Sequence, residues 1–275
     1  MSVAQQLWIE AHPYLQKVAE FQRTINKAFA GVTPGAVSMP DWNRTAEQYD
    51  EGVPLLENTG AALSHTSAAG NLLLAGTERL LQESLPQPVV KAAKQLLEHL
   101  KISEENRKAA INWVQTGDPE KAPVPVGGLL RVLGWTAITR TLAPVLSRYA
   151  EWRNEDHWMR GYCPVCGSLP PVAQIAPGGT QPRMLACGCC HSSWRYKRIS
   201  CPFCENDDPE QLGILNIEQE PLFRLDVCDE CSGYLKTYLG EGDIELHLSD
   251  WSTLHLDAVA RQQNLARKGC SLFEL

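Results

Sequence analysis

The cysteines of this 275-residue chain are the residues best suited to chemistry, because eight of the ten fall into Cys-x-x-Cys pairs. Such a turn, called a knuckle here, points two thiolates at one ion, and two knuckles complete a tetrahedral shell. Twenty residues separate Cys166 from Cys187, and 23 separate Cys204 from Cys228. Both intervals are near the 15–20 residues, roughly, that are typical of four-cysteine metal sites. The spacing predicts metal ligands at Cys163, Cys166, Cys187, Cys190, Cys201, Cys204, Cys228 and Cys231.

The four knuckles form two similar halves. In each half a β-rich segment broken by glycine or proline, residues 171–185 and 212–225, separates two knuckles and is typical of a hairpin. Gly167 directly follows a knuckle, where a positive φ is often needed. The repeat favours sequential pairing, with the first four cysteines on one ion and the last four on the other. Interleaved pairing remains an alternative.

The remaining thiols and one nearby imidazole have several possible roles. Cys189 lies between two predicted ligands. It could replace Cys190 as a ligand, remain a free redox-active thiol, or serve as a small buried filler. His191 adjoins the same knuckle and is a possible substitute ligand, although a solvent-facing or hydrogen-bonded histidine is the commoner case. Cys270, near the C-terminus, is expected to be an unpaired thiol.

Disulfides and simple redox chemistry are the competing explanations for these cysteines. Residues 1–10 lack the pattern of a signal peptide, and no apolar stretch reaches the roughly 20 residues that span a bilayer. We therefore expect a cytoplasmic protein with reduced thiols. Thioredoxin-like chemistry usually needs one Cys-x-x-Cys, so four pairs favour metal binding. Tetrahedral thiolate sites suit zinc and iron alike, and both metals remain open.

Residues 1–158 contain no cysteine and show helical periodicity. The chain beyond residue 240 predicts a short strand at Ile244–Leu248 and a final helix near Thr253–Arg267. The predicted N-terminal helices cover residues 13–29, 61–85, 89–100, 104–116 (capped by Ser103 and ended by Gly117) and 128–152 (kinked at Pro144).

These elements predict an α+β protein, a helical bundle followed by two tandem rubredoxin-like or zinc-ribbon modules. The expected boundaries are 1–158 for the bundle, 159–199 and 200–240 for the modules, and 241–275 for the C-terminal strand and helix. The net charge of −7 argues against a nucleic-acid partner. No phosphate loop or nucleophile motif is present, and four protein ligands leave no open metal position. The pattern thus favours an interaction module or a small redox unit over an enzyme.

Motifs along nearly the whole chain resemble the family of the formate dehydrogenase accessory protein FdhE. Cys189, an extra thiol inside the second knuckle, is the main departure from that pattern. The motifs are His12–Leu15, Trp158–Tyr162, Cys163–Gly167, Leu185–Cys187 with Cys190 and Trp194, Cys201 with Cys204, Asp226–Cys228 with Cys231, Tyr234–Lys236 and Thr253–Asp257.

The resemblance implies a cytoplasmic accessory factor for exported, molybdenum-dependent formate dehydrogenases. It implies binding to the catalytic subunit before export by the twin-arginine route. From the net charge and the lack of a long apolar stretch we expect no nucleic-acid partner and no membrane insertion. The resemblance also implies two iron ions, with zinc as the alternative, each on four of the eight cysteines, and no catalytic residue. The other hypotheses are a rubredoxin-type electron-transfer protein and a nucleic-acid-binding zinc-ribbon protein.

Overall fold

The computed structural model describes residues 2–57, 65–117, 122–178, 182–241 and 244–273. Helices dominate the first part of the described chain and strands the second, which confirms the predicted α+β class. The helices are α1 (Val3–Ala11), α2 (Gln16–Ala30), α3 (Trp42–Glu51), α4 (His65–Leu80), α5 (Gln87–Ile102), α6 (Glu104–Thr116), α7 (Gly127–Trp152), α8 (Glu155–Trp158), α9 (Ile244–His247) and α10 (Leu254–Gln262). The strands are β1 (Val172–Ile175), β2 (Arg183–Ala186), β3 (Ser193–Tyr196), β4 (Leu212–Asn216), β5 (Phe223–Cys228), β6 (Gly233–Tyr238) and β7 (Ala266–Arg267).

The chain packs as two compact units, each assembled from separate segments. The sheet unit contains Met1–Ala19, Ala46–Glu57 and Asn154–Ser271. The helical unit contains Glu20–Thr45, Asn58–Arg153 and Leu272–Leu275. The sequence-based boundaries at 158, 199 and 240 stay a prediction. Two segments that the sequence pattern places with the bundle, residues 1–19 and 46–57, group by contact with the sheet unit.

The helical unit forms from amphipathic sequences whose apolar positions recur every three or four residues. Ala93, Leu96 and Leu100 on α5 are completely buried. Helix α6 begins where the Ser103 hydroxyl accepts a hydrogen bond from an amide one turn later, and it ends at Gly117, whose φ is +70°. The predicted cap and stop of this helix are therefore confirmed.

Most other predicted helices are also present, whereas α1 and α3 are not apparent from the sequence. The predicted helix over 13–29 corresponds to a short 3-10 turn followed by α2. The helix expected over 61–85 is α4, and residues 61–64 of that prediction lie outside the described residues. Helix α1 buries no residue, and α3 buries only Thr45 and Tyr49. The two helices are only nine and ten residues long, so each has too few turns for a clear periodic signal.

The sheet unit joins two three-stranded antiparallel ribbons into one sheet. Strands β1–β3 form the first ribbon and β4–β6 the second, in the order β3-β2-β1-β6-β5-β4. The predicted hairpins are the β1–β2 and β4–β5 pairs. Strands β1 and β6 run parallel, with Val172 opposite Lys236, and β7 also pairs parallel with β6. The tandem modules thus share a continuous hydrogen-bonded sheet.

The second ribbon packs against α10, and the C-terminal segment differs from its prediction. The strand expected at Ile244–Leu248 is wrong, because residues Ile244–His247 form α9. Leu246 and His247 are adjacent and both buried, whereas neighbouring residues of a half-buried strand point to opposite faces. The final helix ends at Gln262 rather than near Arg267. The core between the ribbon and α10 contains Phe223, Leu225, Tyr234, Tyr238, Leu256 and Ala260.

A buried network of charges ties β6 to the C-terminal segments. Lys236 is 1% exposed, and its Nζ donates to Asp250 at 2.9 Å and to Asp257 at 3.1 Å. Arg267 donates to Asp250 at 2.9 Å. The two cations balance the two carboxylates, as buried charges require.

None of the helices in the described part of the chain combines the length and apolarity that a membrane crossing needs.

Candidate metal centres

Each knuckle turns on one residue in the left-handed conformation, directly after its second cysteine. The φ angles are +74° at Gly167, +60° at His191, +62° at Glu205 and +55° at Ser232. Residues with a Cβ rarely adopt this conformation. Its recurrence at four equivalent positions indicates that the knuckle geometry imposes it, and the positive φ predicted for Gly167 is confirmed.

The eight predicted ligands come together as two sulfur groups in the described residues. The sulfur atoms of each group lie within 4.8 Å of one another. Their arrangement is the sequential one that the repeat favours, not the interleaved alternative, and neither group includes His191. The first group contains Cys163, Cys166, Cys187 and Cys190, and the second contains Cys201, Cys204, Cys228 and Cys231.

The sulfur–sulfur distances suit a tetrahedral ion. A metal with metal–sulfur bonds of about 2.3 Å gives sulfur–sulfur edges of about 3.8 Å. In the second group the Cys201–Cys231 and Cys204–Cys228 distances are both 3.7 Å. In the first group the Cys163–Cys190 distance is 3.4 Å, as is the Cys166–Cys187 distance. Both groups therefore have the size of a four-thiolate shell, the first slightly contracted.

Backbone amides and burial act in opposite directions on these sulfurs. The Val165 amide donates to the Cys163 sulfur at 3.4 Å, and the Cys189 amide donates to the Cys187 sulfur at 3.3 Å. Such donors favour the thiolate. Burial nevertheless raises the pKa of Cys163, Cys187 and Cys201. A cation would compensate for the lost hydration, and because metal ligands are thiolates, its binding would release protons.

The two groups differ in their exposure to solvent. In the first group three cysteines are buried and Cys166 is partly exposed. In the second group Cys204 is exposed and Cys231 partly exposed. A cavity of about 230 Å³ also opens beside Cys201 and Cys228. An ion in the second group would be the more accessible to chelators and redox partners.

This donor set limits the chemistry that a bound ion could perform. Four cysteines fill a tetrahedral shell and leave no position for water or substrate. The set fits zinc, which would be structural, and iron, which would add one-electron chemistry. Hydrolytic catalysis at either sulfur group is disfavoured by the ligand number itself.

Cys189 is not a member of the first group, and its side chain lies beside Cys270 in the C-terminal segment. Its sulfur lies 3.2 Å from that of Cys270 and 3.6 Å from the Ser168 hydroxyl. Cys190 instead occupies the corner of the group beside Cys163. Of the roles considered for Cys189, substitution for Cys190 as a ligand is therefore disfavoured, and Cys270 is a close neighbour of a second thiol.

We expect Cys189→Ser to keep as many ions per chain as wild type and Cys190→Ser to keep one fewer. Serine removes a thiolate corner only at position 190, and three sulfurs hold a tetrahedral ion far less tightly than four. Metal analysis after gel filtration of both variants, reduced and anaerobic, tests this difference. Loss of an ion from Cys189→Ser, with full retention in Cys190→Ser, would reverse the assignment.

A third group of potential metal ligands comprises His12, Glu220 and His255. Sequence spacing does not predict it, because its members lie in distant segments and follow no local ligand pattern. The motifs at residues 12–15 and 253–257 are the signal that could have pointed to two of them. Their convergence depends on tertiary structure alone.

Comparison with known proteins relates the chain to FdhE proteins. No family model matches it. It is 37% identical over 124 residues to "Protein FdhE" of Escherichia coli strain K12, covering 44% of this chain and 40% of that protein. It is 35% identical over 115 residues to "Protein FdhE homolog" of Haemophilus influenzae, covering 41% of this chain and 38% of that protein. The matches thus span less than half the length of these curated relatives.

A solved structure shares the fold over a longer part of the chain. The crystal structure of the FdhE protein from Pseudomonas aeruginosa matches with a TM-score of 0.59 at 24% identity. The match covers 94% of this chain and 88% of the other. It supports the fold of N-terminal helices followed by a sheet that this chain adopts. The chain is thus similar to FdhE proteins in sequence over part of its length and in fold over most of it.

Proposed function

We propose that this protein is an accessory factor for the maturation of a molybdenum-dependent, exported formate dehydrogenase. It binds the catalytic subunit in the cytoplasm before export. The supporting observation is the relationship to FdhE proteins, which combines 37% identity over 124 residues with a fold shared over 94% of the chain. The accessory role and the partner come from the family resemblance of the sequence motifs.

The sulfur groups support a binding role rather than a catalytic one. A filled tetrahedral shell offers no substrate position, so the proposed ions organise a surface instead of reacting with a substrate. We assign the eight cysteines of the two groups as metal ligands, with iron as the expected metal and zinc as the alternative. The closed ribbons then present a rigid sheet to the immature client.

Electron transfer of the rubredoxin type is the second candidate, because Cys204 of the second group is exposed. An exposed ligand would bring an iron ion within reach of a redox partner. Reversible reduction by such a partner, without stable binding of the dehydrogenase subunit, would favour this alternative. The nucleic-acid alternative finds little support in a chain with a net charge of −7.

The proposal can be tested by deletion and complementation in the organism that makes both proteins. Without the chain we expect formate dehydrogenase activity at the membrane to fall by at least about tenfold, because an unmatured subunit is not exported in active form. The wild-type chain should restore activity and co-purify with the catalytic subunit from anaerobic cytoplasmic extract. Undiminished activity after deletion would refute the proposal, and restored activity without co-purification would refute direct binding.

A Cys228→Ser, Cys231→Ser variant connects this function to the second sulfur group. It lacks half of that group, so we expect it neither to restore activity nor to bind the subunit. Cys270→Ser is the matched control, because it removes a thiol outside both groups, and it should behave like wild type.

A further inference from the structure

His12, Glu220 and His255 form a compact cluster in the sheet unit, away from the sulfur groups. His12 directly follows α1, Glu220 lies in the turn between β4 and β5, and His255 lies in the first turn of α10. One Glu220 carboxylate oxygen is 2.5 Å from His12 Nε2 and 2.9 Å from His255 Nε2. The three side chains are only 8%, 9% and 12% exposed. The cluster sits at the opposite end of β5 from Cys228, roughly 17 Å of strand away.

The hydrogen bond at His12 Nδ1 determines which ring nitrogen carries the hydrogen when the ring is neutral. His12 Nδ1 lies 2.8 Å from the backbone carbonyl oxygen of Trp8. A carbonyl oxygen only accepts, so Nδ1 carries the hydrogen, and Nε2 of the neutral ring presents a lone pair to Glu220. Two lone pairs 2.5 Å apart repel unless a cation lies between them. A proton fits this spacing as it stands, and a metal ion with bonds of about 2.0–2.1 Å would hold the two atoms about 3.3 Å apart. A backbone carbonyl on the far nitrogen is also the usual support of a metal-binding histidine.

His255 supplies a second imidazole that lacks a conventional partner. Its Nε2 is 2.9 Å from Glu220, yet within the described residues neither ring nitrogen makes a hydrogen bond of acceptable geometry. Both nitrogens are shielded from solvent. Buried polar groups of this kind usually have a partner, and a metal ion would provide one.

Aromatic rings enclose the cluster. The Trp8 ring centroid lies 3.9 Å from that of His12 and 6.1 Å from that of His255. Tyr14 lies 5.8 Å from His12 and 5.6 Å from His255, and it is 60% exposed. These rings exclude water from the imidazoles and strengthen a charge–ligand interaction there. Tyr14 marks the side that faces solvent.

We propose that His12, Glu220 and His255 bind one divalent transition-metal ion through two imidazole nitrogens and a carboxylate. This donor set suits Zn²⁺ or Fe²⁺ rather than Mg²⁺ or Ca²⁺, which prefer oxygen ligands. Three protein ligands leave at least one coordination position open, in contrast to the closed sulfur groups. The open position would take water or a small anionic ligand entering beside Tyr14. The chain would then carry a third metal centre of a different chemical kind.

Cobalt titration of the full chain tests the site independently of any activity. The two sulfur groups are first filled with Zn²⁺, and Co²⁺ is then added under reducing, anaerobic conditions. We expect one Co²⁺ per chain with weak visible d–d bands and no intense sulfur-to-cobalt charge-transfer bands. Failure of the wild-type chain to take up this ion would overturn the proposal and leave a proton as the bridging cation. Cobalt uptake accompanied only by sulfur-to-cobalt charge-transfer bands would show binding at the sulfur groups, and it would also overturn the proposal.

Conservative variants place the ion at the cluster. Glu220→Gln and His255→Gln keep the side-chain size and should weaken Co²⁺ binding by at least about 100-fold, because each removes a ligand. Zinc content of the sulfur groups and far-ultraviolet circular dichroism should stay at wild-type values, which shows that the fold is intact. His157→Gln, at a histidine whose side chain is 58% exposed, is the matched control and should bind normally. Unchanged Co²⁺ affinity in both cluster variants would contradict the assignment.

Discussion

Removing the metal from both four-cysteine groups should unfold the sheet unit under reducing conditions. The strands of the two ribbons are only four to six residues long, and the knuckles hold their ends. A structural zinc ion contributes about 10–16 kcal/mol of apparent binding free energy in small domains. Whole domains are stable by only about 5–15 kcal/mol. Loss of two such ions therefore exceeds the stability that the remaining contacts can supply.

Hydrogen exchange followed by mass spectrometry measures this unfolding directly. Peptides covering β5 and β6 should be protected in the metal-loaded chain and exchange fully after treatment with chelator and reductant. A Cys189→Ser, Cys270→Ser variant controls for thiols outside the groups, and its protection with metal bound should equal that of wild type. Retained protection in β5 and β6 after complete metal removal would show that the ribbons fold without ions.

The buried charge network gives the second large effect. Asp257→Ala should destabilise the metal-loaded protein by about 3–5 kcal/mol, the usual cost of breaking a buried ion pair from one side. The substitution removes one of the two carboxylates that contact the buried Lys236 ammonium, which then shares Asp250 with Arg267. It also removes the acceptor of the Tyr234 hydroxyl, which donates to Asp257 at 2.7 Å.

Urea unfolding at pH 7 measures this loss as a lower midpoint with an unchanged slope. Asp207→Ala removes an exposed carboxylate of the same unit and should change stability by no more than about 0.5 kcal/mol. Asp257→Asn separates the two contributions, because the amide can still accept from Tyr234. If Asp257→Ala lowers the free energy of unfolding by less than about 1 kcal/mol, the network contributes no more than a weak surface ion pair.

The same network makes the stability of the folded protein depend on pH in the acidic range. Burial opposes ionisation of Asp250, but Lys236 and Arg267 outweigh it and lower its pKa below the ordinary value of 3.8. A carboxylate with a lowered folded-state pKa contributes stability that is complete above the unfolded value and is lost as the pH falls through the folded one. Stability measured at pH 7 therefore contains the full contribution of Asp250.

Local signals in the sequence were sufficient for much of this structure. The cysteine spacing predicts the four knuckles, because each is specified by four neighbouring residues. The repeat only favours their sequential arrangement over the interleaved one, because the choice of partner knuckle is a tertiary contact. Ser103 and Gly117 predict the ends of α6, because caps depend on side-chain and backbone conformations within one turn. The hairpins follow from β-rich runs separated by glycine and proline.

Long-range contacts determine the features that the sequence did not reveal. The parallel β1–β6 pair joins segments more than 60 residues apart, as Val172 and Lys236 show, and no local pattern specifies such a partner. The segment at Ile244–His247 alternates like a strand but is a helix, because tertiary packing buries two adjacent residues. The cluster of His12, Glu220 and His255 likewise exists only once α1, the β4–β5 turn and α10 have packed together.

X-ray absorption at the metal edge, combined with metal analysis, tests the central claim most directly. Glu220→Gln protein, purified anaerobically, excludes the third cluster from the signal. Two ions per chain, each with four sulfur neighbours at about 2.3 Å and no nitrogen or oxygen neighbours, are the predicted result, and the absorbing element decides between iron and zinc. Fewer than two ions in fully reduced protein, or a shell of mixed nitrogen and sulfur ligands, would contradict the account.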